Sequence, residues 1–161
     1  VLGAGLAMTP GPLITTILAT LAGRLADRYG VVPVAAVGAV VYALGCAWYA
    51  LRAGSSPAYL TQWLPGAGLT GLGIALAFPS FTSAAVMTLP AARYGTGSAV
   101  NAAARQMGGV LGIALAVSII GGSTRISTHR DFVHGWIFAA GCASLAALVA
   151  LTLGLRRPAA A

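Results

Sequence analysis

Five apolar stretches, each long enough to span a bilayer, alternate along the chain with short polar or Gly/Pro-bearing links. A membrane helix needs ~20 mostly apolar residues at 1.5 Å rise each. The stretches cover about 2–22, 32–51, 59–87, 97–120 and 135–155. The first is interrupted by Pro10-Gly11-Pro12, which is expected to kink or loosen it. Turn signals lie at 23–30, 52–57, 89–96 and 121–133, all short enough to make successive helices antiparallel neighbours.

Polar side chains are spread unevenly over the five spans. The first carries Thr9, Thr15, Thr16 and Thr20, the third Thr61, Gln62, Thr70, Ser80, Thr82 and Ser83, and the fourth Ser98, Asn101, Arg105, Gln106 and Ser118. The second has no Ser or Thr, and the fifth has only Ser144 and Thr152. Lipid selects against polar side chains, so the first, third and fourth spans are expected to face the protein interior or a water-filled cavity. The second and fifth read as peripheral supports. Gly66, Thr70, Gly73, Ala77 and Ser80 form a small-residue stripe at helical spacing, and Asn101, Arg105, Gly108 and Gly112 form another. Such stripes let helix backbones approach closely.

Composition closes off the soluble reading. The 161 residues are 58% hydrophobic and 7% charged, and mean hydropathy is +0.90. Soluble domains carry about 25% charged residues. The fold class is therefore an all-α membrane protein. The net charge of +7 comes from nine arginines set against Asp27 and Asp131. These arginines stand singly or in pairs at the ends of apolar runs, not in the clustered patch that nucleic acid requires. Arg24, Arg28, Arg93, Arg156 and Arg157 fall on one side of the membrane, and Arg52, Arg125 and Arg130 on the other. The positive-inside rule makes the loops at 23–31 and 88–96, and the C-terminus, cytoplasmic.

Arg105 is the exception, lying about eight residues, or ~12 Å, into the fourth span. At the centre of a helix an arginine costs about 2.5 kcal/mol or more. Its long stem could snorkel to the cytoplasmic interface, or the residue could face inward as an anchor at the end of a cavity. The two cysteines, Cys46 and Cys142, sit inside apolar runs as small hydrophobes. No metal-ligand set, cofactor motif or catalytic constellation can be assembled from two acids and the edge histidines His129 and His134, so an enzyme is not expected.

The most specific string is Gly23-Arg24-Leu25-Ala26-Asp27-Arg28-Tyr29-Gly30. It reads either as an ordinary charged turn or as a latch, in which Gly23 allows close approach and Asp27 pairs with arginine at a neighbouring helix N-terminus. This string resembles the loop signature of the major facilitator superfamily. Gly71-Leu72-Gly73-Ile74-Ala75-Leu76-Ala77-Phe78-Pro79, Gly95-Thr96-Gly97-Ser98-Ala99-Val100-Asn101 and Arg105-Gln106-Met107-Gly108-Gly109-Val110-Leu111-Gly112 resemble the C-terminal half of its 14-helix drug:proton antiporters. The basic residues that usually follow the signature are replaced by Val31, Val32 and Pro33.

The resemblance implies five helices of a C-terminal six-helix bundle, with the helix before the first span and an N-terminal half expected outside this chain. It implies alternating access in the plasma membrane and proton-coupled efflux of small amphipathic compounds. Coupling needs a titratable group at depth, and this chain has no acid there, so the proton site is expected elsewhere. Thr9, Thr16, Phe78, Asn101 and Gln106 are the expected substrate-cavity contacts, and Gly23, Asp27, Arg28, Gly30 and Arg105 the expected conformational residues. A truncated remnant, a packing module needing another subunit, and a solute symporter remain open alternatives.

Overall fold

The computed structural model describes residues 9–52, 59–121 and 129–155. They form five α-helices: α1 (Pro10–Tyr29), α2 (Val31–Arg52), α3 (Leu64–Val86), α4 (Tyr94–Gly121) and α5 (His129–Leu155). A single π-helical turn, Tyr59–Trp63, leads into α3, and a 3₁₀ turn, Ala91–Arg93, leads into α4. Among the described residues there is no strand. The chain is an all-α membrane protein.

Four stretches are long and apolar enough to cross a bilayer: Val31–Arg52, Tyr59–Val86, Ala91–Ile120 and Asp131–Thr152. Helix α1 falls short because Pro10 and Pro12 dilute its start and Arg24, Asp27 and Arg28 its end. The expected break at Pro10-Gly11-Pro12 is instead the first turn of α1. Proline suits that place, where its missing N–H has no intrahelical partner to lose. The part of the predicted span before Thr9 lies outside the described residues.

The expected turn at 23–30 is a second correction. Gly23–Tyr29 stays helical, because Arg24, Leu25 and Ala26 are strong helix formers and one glycine does not outweigh them. The link to α2 is Gly30 alone, at φ 90° and ψ 152°. That backbone region is essentially reserved for glycine.

Helix α2 is the hub, packed against α3, α5 and more lightly α1, while α1 also crosses α3. The α2–α3 seam explains the predicted stripe on α3. Gly38, Tyr42, Gly45 and Tyr49 of α2 meet Ala77, Gly73, Thr70 and Gly66 of α3 in antiparallel order. A Cβ on Gly73 would lie 2.5 Å from the Tyr42 backbone nitrogen, and one on Gly38 2.5 Å from that of Ala77. At that separation only glycine fits, and the backbone contact it permits is what holds membrane helices together.

The polarity census therefore misplaced the second span. It is not peripheral but the most enclosed helix, with Ala35, Ala36, Ala39 and Cys46 buried. Helix α5 faces it with a buried alanine stripe, Ala143, Ala147 and Ala150. The physical reason is that hydroxyls need no second helix. Thr16 donates to the Pro12 carbonyl at 2.9 Å, Thr82 to that of Phe78 at 2.9 Å and Ser144 to that of Ala140 at 2.8 Å. A hydroxyl satisfied within its own turn does not mark an inward face.

Candidate functional site

Helix α4 is built differently from the seam. It touches α3 and α5 lightly, and none of its described side chains is buried. A Cβ added to Gly108, Gly109 or Gly112 would meet nothing within 4 Å. The predicted stripe on α4 thus borders open space. That space is an apolar cleft of about 540 Å³, with Ala39, Gly73 and Phe78 on one wall and Gly112, Phe138 and Cys142 on the other.

Beside it, sharing Phe78 and Phe81, is a more polar pocket of about 500 Å³. Helix α3 supplies Phe78, Phe81 and Thr82, and α4 supplies Asn101, Arg105 and Gln106. Spacing explains the convergence. Phe78, Phe81 and Thr82 are three and four apart on one helix face, as are Asn101 and Arg105 on theirs. The Arg105 guanidinium carbon stands 4.7 Å from the Phe78 ring centroid, within cation–π range. Because α4 begins at Tyr94, Arg105 lies about eleven residues in, ~16 Å along the axis. An arginine at the bilayer centre costs about 2.5–3.5 kcal/mol or more. Stacking on an aromatic face offsets about 0.5–2 kcal/mol of that.

Three of the predicted cavity residues, Phe78, Asn101 and Gln106, therefore gather in one pocket with Arg105. Thr16 borders a different pocket of about 500 Å³, with Thr15, Tyr42, Tyr49, Trp63 and Trp136. Thr9 is exposed just before α1 and lines neither pocket. Gly23, Asp27, Arg28 and Gly30 are exposed at the far end of α1, apart from these pockets. Among the described residues, nothing beyond its own stretch of helix stands within 4 Å of a Cβ built on Gly23. Arg28 lies over its neighbour Tyr29 at 5.6 Å, and among the described residues no ion pair joins Asp27 to an arginine. The latch reading finds no partner in this arrangement.

Two features escaped sequence reasoning. The Thr15 hydroxyl shares its one proton between the Gly11 carbonyl of its own helix at 3.0 Å and the Gly71 carbonyl at 3.1 Å, tying α1 to α3. At that crossing a Cβ on Gly71 would lie 2.7 Å from the Gly11 carbonyl oxygen. The second feature is an aromatic stack in which Tyr49 lies 4.9 Å from Trp63 and 4.5 Å from Trp136, centroid to centroid. The Tyr49 hydroxyl and Trp48 Nε1 donate to the carbonyls of Trp63 and Gln62 in the π turn. The signal was available, since these aromatics all sit at the same end of the second, third and fifth spans.

Comparison with known proteins finds a relative recorded from two strains. Over 117 residues the chain is 32% identical to the multidrug resistance protein Stp of Mycobacterium tuberculosis, in strains CDC 1551 / Oshkosh and ATCC 25618 / H37Rv. The match covers 72% of this chain and 21% of the relative, so the chain spans about a fifth of the length of the curated proteins it matches. No family model and no solved structure matches.

Proposed function

We propose that this chain is part of the membrane domain of a drug-efflux transporter of the major facilitator superfamily. It sits in the plasma membrane, with its C-terminus and the 23–31 and 88–96 segments cytoplasmic. Alternating access moves its helices against the rest of the transporter, and inward proton flow drives export. The pocket formed by Phe78, Asn101, Arg105 and Gln106 is part of the wall that touches substrate, and Thr16, in its own pocket, and Thr9, at the start of α1, are further contacts. The proton-coupling carboxylate comes from elsewhere in the transporter, because Asp27 and Asp131 lie at helix ends.

The observation that carries this reading is the pocket between α3 and α4. Its volume falls within the 300–1,000 Å³ of drug-sized ligand sites, and its lining combines aromatic faces with a few polar groups. The likeness to a multidrug resistance protein supports the substrate class. A loosely packed α4 supports the motion, since a moving element is drawn from the weakly held part of a structure.

Uptake of rhodamine B into everted vesicles carrying the full-length transporter, where export reads as accumulation in the lumen, tests it. Alanine at Phe78, Asn101 or Gln106 is expected to reduce efflux about tenfold at unchanged expression. Unchanged efflux across all three removes the pocket from the substrate path. Persistence of rhodamine B uptake after the proton gradient is collapsed removes proton coupling.

A further inference from the structure

Arg105 is the cation of this chain that lies deepest within a span, and the chain holds no anion at its level. Its two acids are Asp27, in the last turns of α1, and Asp131, in the first turn of α5. Among the described residues the Arg105 side chain makes neither an ion pair nor a hydrogen bond. Phe78 covers one face of the guanidinium. A guanidinium stacked on a ring keeps its N–H edge available, and that edge matches a carboxylate bidentately. Asn101 and Gln106 line the same pocket and add amide donors. The neighbouring apolar cleft shares Phe78 and Phe81 and offers room for a flat hydrophobic body. The pocket therefore combines an anion-seeking head with an apolar slot, and no acidic side chain lines it.

We infer that the Arg105 pocket selects amphipathic ligands carrying a carboxylate, with Arg105 binding the carboxylate and Phe78 the adjoining ring. This rests on the reading of the pocket as part of a substrate cavity. Rhodamine B, which bears a free carboxylate, and its ethyl ester, which does not, share one scaffold and separate the charge from the shape. Binding is read by fluorescence anisotropy with the full-length transporter in neutral phosphatidylcholine nanodiscs, where no anionic lipid headgroup competes. Transport is read in vesicles.

The wild-type protein is expected to bind the acid at least tenfold more tightly than the ester. R105Q is expected to lose that preference, weakening the acid about tenfold while the ester stays within twofold. R105K, a point charge without the planar fork, should retain part of the preference. A fall of acid and ester together in R105Q overturns the inference, because Arg105 then holds the fold or pairs with a protein carboxylate. Equal binding of the two dyes by the wild type, or no change in R105Q, overturns it as well. Preferential binding of the acid with no transport of it leaves the inference standing and overturns the efflux reading alone.

Discussion

The α2–α3 seam and helix α4 use the same residue type in opposite ways. Both carry glycine stripes at helical spacing. On the seam each glycine meets a neighbour's backbone or ring at 2.5–2.9 Å from where a Cβ would be. On α4, Gly108, Gly109 and Gly112 meet nothing. Glycine lets backbones touch in the first case and leaves a wall hollow in the second. The molecule thus pairs a closely packed hub with a helix that borders open space.

The largest expected effect breaks the seam. Replacing Gly73 by Leu forces a side chain into the Tyr42 backbone, and overpacking of this kind costs about 3 kcal/mol. Thermal unfolding in detergent should show the midpoint falling by roughly 6–12 °C. A wild-type midpoint for G73L would mean that the seam is not rigid. Next comes the one-residue joint. Ala at Gly30 must adopt a backbone region foreign to it, at a cost of about 1–3 kcal/mol by the same measurement. Loss of the Thr15 bond to Gly71 is smaller. T15V should cost about 0.6 kcal/mol, the average for interhelical bonds in membranes, while T16V, whose bond stays within its own turn, should cost less. The smallest effect sharpens the contrast from the other side. G112A should leave stability within about 0.5 kcal/mol of the wild type, because its methyl enters open space. A melt lowered as far as that of G73L would show that α4 packs as tightly as the seam.

Much of the architecture was legible in the sequence because membranes enforce it. Length and hydropathy gave helical spans, and the four-three spacing of Gly66, Thr70, Gly73 and Ala77 marked a contact face. Its partner was not legible. The matching positions on α2 include two tyrosines, and Gly38 and Gly45 alone do not announce a seam in a span so uniformly apolar. Counting hydroxyls pointed away from α2, since hydroxyls such as those of Thr16, Thr82 and Ser144 satisfy themselves on the preceding turn. The helical course of Gly23–Tyr29 was hidden by residues that serve a charged turn and a helix end equally well. In the site, the gathering of Phe78, Asn101, Arg105 and Gln106 depends on how α3 and α4 are rotated. Helix rotation is set by packing contacts that the sequence does not enumerate.

All three tryptophans lie with Tyr49 at a single end of the molecule: Trp63 and Trp136 stack on its ring, and Trp48 bonds to the turn beside it. Within this chain the indoles therefore form an optical probe, and the probe is spatially selective. Indole emission registers rearrangement where α2, α5 and the π turn meet. The Arg105 pocket has no indole in its lining, so a bound dye there reports separately, and the two signals can be followed at once in the same sample.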